Sequence, residues 1–166
     1  MRVVFSIPSL IIYHCYGGAH SSVTAAAVHG GLLSRYKTPS RQELIGLPFF
    51  DSQDAADHGF LQYMGKSNDG SLVFSVGFET ASTPVIKAVK NLLALGKAGA
   101  VNVTYVETRE VINILMIIGG ILSRLLGLTF LGRPLVAWGT QLAYKKIVAL
   151  VEATERKIKL REQRGQ

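Results

Sequence analysis

Leu10-Ile11-Ile12-Tyr13-His14-Cys15-Tyr16-Gly17-Gly18-Ala19-His20-Ser21-Ser22 is the stretch on which the fold turns. Its first six residues form a β-rich apolar run, the pattern of a strand buried in a parallel sheet. Gly17 and Gly18 permit a tight turn and a close approach of backbone to a ligand. Ser21 and Ser22 then open a helix expected over Val23–Leu33, weakened at its end by Gly30-Gly31. A Gly-rich turn between a strand and a helix presents unpaired N–H groups and partial positive charge, which suits an anion. The candidate phosphate-binding set is therefore Gly17, Gly18, Ala19, His20, Ser21 and Ser22. The loop N–H groups and the serine hydroxyls would hold the phosphate. His20 would add a donor and is the candidate catalytic residue. The plain structural alternative is a helix start after a Gly-rich turn, with no ligand.

Outward from this element, Ser40 and Glu43 form a capping box that starts a helical piece ending near Gly46–Pro48. Phe49–Asp57 reads as loop. Phe60–Met64 and Ser71–Gly77 are short β-like runs around Asn68-Asp69-Gly70, which predicts a β-hairpin. Thr83-Pro84 begins a helix to about Leu95, with proline at its first position. Val101–Val106 alternates as a strand ending at Glu107, and Arg109–Leu125 reads as helix. Pro134–Trp138 reads as a short strand closed by Gly139-Thr140, and Gln141 to about Arg161 as the last amphipathic helix. Strands alternating with helices imply an α/β fold: three layers, a mainly parallel sheet with helices on both faces, the hairpin being an insertion or antiparallel edge. Ligands bind such sheets at the C-terminal strand ends, so Thr140, after the last expected strand, joins the candidate binding residues.

The chain has 166 residues, 48% hydrophobic and 17% charged. That is one domain of ordinary size, with residues 1–8 a possible extension and 155–166 a basic helix end. One cysteine excludes a disulfide framework or a multi-cysteine zinc site. The net charge of +7 favours anionic partners. Lys145–Gln166 carries part of this excess, as a solvated helix face or as a weaker nucleic-acid or membrane patch, without the aromatic residues of a stacking surface. The N-terminal apolar run is broken by Pro8 and lacks a small-residue cleavage site, so a strand is expected in place of a signal peptide. Val111–Tyr144 is strongly apolar, but Arg124 and Arg133 divide it. Its longest uncharged segment has thirteen residues, against the roughly twenty of a spanning helix. No transmembrane segment is expected, and the chain reads as cytoplasmic.

Three known patterns resemble parts of the chain. The loop is similar to the deviant phosphate-binding loop of ParA/MinD-type ATPases, Lys-Gly-Gly-x-Gly-Lys-Thr, at Gly17, Gly18 and Ser22. Tyr16, His20 and Ser21 depart from it, and the phosphate-binding lysine is missing. It is also similar to the low-molecular-weight tyrosine phosphatase loop at Cys15, Gly17 and Ser22. Ser21 stands where that pattern has its arginine, and no Asp-Pro acid follows. Tyr13–Ser22, Leu47–Asp51, Ile118–Arg124 and Leu131–Val136 together resemble bacterial domain-of-unknown-function family 3189, from about residue 10 to residue 151. That resemblance implies one compact domain from spore-forming Firmicutes and carries no catalytic residue with it.

Other residues offer further chemistry. His14 and Cys15 are strand neighbours on opposite faces, which disfavours shared metal ligation. His29 reads as a helix-face residue and His58 as a loop residue. Glu107 ends a strand where an acid could help hold Mg²⁺ with a nucleotide. Arg109, Arg124 and Arg133 could reach an anion, though Arg133 would start its strand at the wrong edge. Arg124, in an apolar helix, needs a carboxylate or carbonyl partner such as Asp51 or Glu107. The expectation is a small protein that binds a phosphorylated ligand or nucleotide through a P-loop-like element. The alternative is a non-catalytic interaction or regulatory module with a degenerate NTPase-like fold, meeting a protein partner through Val111–Tyr144 or the basic tail.

Overall fold

The computed structural model describes residues 9–95 and 101–164. The extension expected at residues 1–8 lies outside them. The elements are β1 (Leu10–Cys15), α1 (Ser21–His29), α2 (Arg41–Ile45), β2 (Gln62–Lys66), β3 (Leu72–Gly77), α3 (Ser82–Leu95), β4 (Val103–Glu107), α4 (Ile114–Gly120) and α5 (Thr129–Gln163). A π-helical turn, Ile121–Leu125, extends α4.

The four strands form one mixed sheet in the order β2-β3-β1-β4. β1 is central and runs parallel to β3 and β4, with Cys15 opposite Gly77 and His14 opposite Glu107. β2 pairs antiparallel with β3 and is the edge of the expected hairpin. β3, however, is an internal strand, so the hairpin is part of the sheet and not an insertion beside it.

Alternation along β1 divides its side chains between two cores. Ile11 and Tyr13 join Met64, Val73 and Val106 in the larger core, under Val23, Ala26 and Ala27 of α1 and Val136, Tyr144, Ile147 and Val151 of α5. Ile12 joins Val76 and Phe78 in a smaller cluster on the other face, where Val85 and Ile86 of α3 pack. α3 buries none of its residues, so that face is thinly covered. The Ser40–Glu43 capping box is present at the start of α2.

Two expectations fail in the C-terminal half. Pro134–Trp138 is not a strand but lies within α5, a helix of 35 residues. Consequently Arg133 does not begin a strand and Thr140 does not follow one. Gly132, Val136, Thr140, Ala143, Ile147, Val151, Thr154 and Ile158 are buried and spaced three or four apart as on one helix face, with Ala137, Gly139 and Tyr144 buried beside them. The glycines that resembled strand punctuation are packing positions. A Cβ on Gly132 would stand 2.4 Å from Ser123 N, and one on Gly119 would stand 2.6 Å from Val136 Cγ2. α4 and α5 thus form an antiparallel helical hairpin with nearly touching backbones. Pro134, inside α5, forgoes the one helical hydrogen bond its position would give to the Phe130 carbonyl.

Candidate functional site

β1 ends at Cys15, and the turn after it is set by Gly18, whose φ of +65° is left-handed. A Cβ there would meet Gly77 N at 2.3 Å, so only glycine lets the loop lie against β3. The Cys15 Sγ accepts the Gly18 N–H at 3.1 Å and lies 3.3 Å from Ser22 Oγ. The loop therefore folds back over the thiol before α1 begins. His20 occupies the N-cap position of α1 without a side-chain cap, and the first turn has no acidic residue. The first N–H groups of α1 are left without a side-chain acceptor of their own, as an anion site requires.

A cavity of about 440 Å³ opens at this end of the sheet, within the size range of small-molecule sites. Cys15, Tyr16, Gly17, Ala19, His20, Ser21, Gln53, Asp54, His58 and Arg124 line its polar side. Ile112, Met116, Ile117, Ile121 and Leu125, from the segment after β4, line the other. It lies where β1 feeds a helix leading to β3 while β4 occupies the opposite flank, the switch point of the sheet.

Asp51 organises the polar side. It is completely buried and adopts a left-handed φ of 49°. Its Oδ1 accepts from His20 Nε2 at 2.9 Å. Its Oδ2 accepts from the Ser123 hydroxyl and from Arg133 Nε at 3.1 Å. Its backbone carbonyl accepts from Arg124 Nη1 at 3.2 Å and Arg133 Nη2 at 3.3 Å. Burial pushes the Asp51 carboxyl up, but the hydrogen bonds from His20 and Ser123 and the charge of His20 outweigh it and hold the pKa below its ordinary value. Arg124 keeps donor capacity: its Nε is buried without a partner.

The four stretches that carried the family resemblance meet here, supplying His20, Asp51, Ser123 with Arg124, and Arg133. Arg124 finds the carbonyl partner it needed, and Arg133 is drawn to Asp51 from within α5. The serines are more constrained than the sequence implied. Thr108 Oγ1 donates to the His14 carbonyl at 3.1 Å, so the 2.9 Å contact between Ser21 and Thr108 must carry the Ser21 proton. That leaves the Ser21 hydroxyl no proton for a ligand. Ser22 Oγ is engaged with Cys15 and completely buried.

Thr140 is not brought to the cavity. Its hydroxyl donates to Val136 O within α5. Glu107 is half exposed, pairs with Arg109 at 3.2 Å and lies outside the cavity lining. Among the described residues no group of three or more His, Cys, Asp or Glu could hold a metal. His29 is buried inside α1 against Tyr13, not on an outer helix face. Gln53, Asp54 and His58, assigned to a loop by sequence, line the cavity. Gln53 donates to Gly18 O at 2.7 Å while its Oε1 stays unpartnered, and His58 Nδ1 lies 2.6 Å from Glu79. No local signal marks these three residues, because the contacts that place them join them to distant parts of the chain.

The model of a family described as "Protein of unknown function (DUF3189)" matches residues 10–156. No curated protein and no solved structure matches.

Proposed function

We propose that this chain, which belongs to the DUF3189 family, binds the phosphate group of a small ligand, a nucleotide or a sugar phosphate, at the N-terminus of α1. The observation that carries this reading is the place of Arg124. It lines the same cavity as the Gly17–Ser21 loop and has a buried Nε without a partner. A guanidinium from a distant helix stands in for the loop lysine or arginine that the sequence lacks. In this reading the element is P-loop-like within a three-layer α/β fold. The N–H groups of the loop and of α1 hold the anion, Arg124 adds charge, and His20, held through Nε2 by Asp51, donates from Nδ1 when its ring carries both protons. Gln53 Oε1 would accept from a hydroxyl or amino group of the ligand. A nucleotide would bring Mg²⁺ with it, and Glu107 is poorly placed to receive that ion.

The test is thermal unfolding against inorganic phosphate, nucleotides and sugar phosphates, with and without Mg²⁺. A ligand at a hundred times its dissociation constant adds about 2.7 kcal/mol. Arg124→Gln should abolish most of the shift, whereas Ser21→Ala should keep most of it. No shift with any compound would overturn the reading. It would favour the interaction module, which expects an empty loop.

A further inference from the structure

Leu125, Leu126, Leu128, Phe130 and Leu131 are 77%, 58%, 38%, 72% and 50% exposed. They form the tip of the α4–α5 helical hairpin, and soluble surfaces rarely gather so much apolar area in so short a segment. The tip cannot fold inward. The facing sides of α4 and α5 are already filled by close contacts at Gly119, Gly132 and Gly139, where a Cβ would meet its neighbours at 2.6, 2.4 and 2.9 Å. Exposure continues along the same helices through Ile114, Ile118, Trp138 and Leu142.

The free charge on the two helices of the hairpin is basic: Arg124 and Arg133 are held by Asp51, and Lys145 and Lys146 are exposed farther along α5. Between Glu110 and Glu152 there is no Asp or Glu, while Arg124, Arg133, Lys145 and Lys146 are present. Lys146 borders a shallow groove with Ile114 and Leu142, so a cation adjoins the apolar surface. We propose that the hairpin docks this protein onto an anionic lipid bilayer, the leucines and Phe130 of its tip entering the headgroup boundary and Lys145 and Lys146, farther along the same apolar surface, meeting lipid phosphates. A bilayer supplies apolar depth and negative charge together. A second copy of this chain would bring like charges face to face. Among the described residues no helix is long and apolar enough to cross a membrane, and the tip lies on the surface instead of spanning it. Because Ile121 and Leu125 also line the cavity, docking places the cavity mouth near the lipid headgroups.

The experiment is sedimentation of the full chain with vesicles of phosphatidylcholine alone, or of phosphatidylcholine mixed with phosphatidylglycerol, at low and high salt. Emission from the single tryptophan, Trp138, provides a second readout. The wild-type protein should bind the mixed vesicles, release in high salt and show blue-shifted emission. Leu126→Glu with Phe130→Glu should weaken binding by roughly tenfold or more, since two large apolar side chains are withdrawn. Both residues are exposed and outside the cavity lining, so the fold and any phosphate-induced thermal shift should persist. Failure of the wild type to bind, or equal binding by the double variant, would overturn the proposal. So would self-association of the wild type in light scattering that the double variant loses while neither binds vesicles.

Discussion

Two groups in this molecule each join a histidine, a carboxylate and an arginine. His20, Asp51 and Arg133 meet at the cavity, and His29, Glu155 and Arg35 meet between α1 and α5. At the cavity the carboxylate is completely buried, while Arg133 is 42% exposed. In the second group the carboxylate is 23% exposed and Arg35 clasps it with two bonds of 2.7 and 2.6 Å. His29 is sealed: its Nδ1 meets the Tyr13 hydroxyl at 2.8 Å, and its Nε2, 3.5 Å from Glu155, makes no hydrogen bond. Burial lowers the His29 pKa despite the nearby Glu155. The second group is thus a closed strut with a neutral imidazole. The first is held just as firmly but borders a cavity, which His20 and Arg124 both line. The same kind of histidine, carboxylate and arginine cluster builds structure or a site according to whether it has an open side.

Three measurements would break or sharpen this contrast. The largest effect belongs to Asp51→Ala, which removes the carboxylate on which His20, Ser123 and Arg133 converge. A loss of about 3–5 kcal/mol is expected in urea unfolding, as for other broken buried ion pairs. A loss under about 1 kcal/mol would mean that Arg133 reaches solvent and that the Asp51 carboxylate organises nothing.

Next comes pH. A buried neutral histidine binds fewer protons than the same residue in the unfolded chain, so stability rises with pH through this range. His29 therefore contributes fully above its ordinary value of 6.5 and loses that contribution as pH falls below it. The slope is at most about 1.4 kcal/mol per pH unit per group. His14, also lowered by burial, adds a slope of the same sign. His29→Gln should flatten the curve partly and leave the His14 share. An unchanged slope would assign the pH dependence elsewhere.

The smallest effect is Glu155→Gln, about 1 kcal/mol, because Arg35 is partly exposed and can turn to water. A loss as large as that of Asp51→Ala would erase the distinction between strut and site.

The legible parts were those with local causes. β1 and the turn at Gly17-Gly18, the capping box at Ser40–Glu43 and the Asn68-Asp69-Gly70 hairpin were all readable from short runs. The segment 129–140 was not. Its glycines and Pro134 resemble a helix break, and only close packing against α4 explains them. The candidate site divides in the same way. His20 and the loop were visible as a strand-to-helix turn. Gln53, Asp54 and His58 were not, and Arg124 was seen only as a cation in need of a partner.

By itself the sequence determined that a strand would end in a Gly-rich turn before a helix N-terminus, since φ freedom and unpaired N–H groups are properties of neighbouring residues. It also determined the excess of positive charge. Tertiary structure alone decided that Asp51 would be the partner shared by His20, Ser123 and Arg133. It also decided that the Ser21 proton would go to Thr108 and that the leucines after Arg124 would remain outside. Each of these outcomes depends on which distant segments meet, and the spacing of residues along a chain does not carry that information.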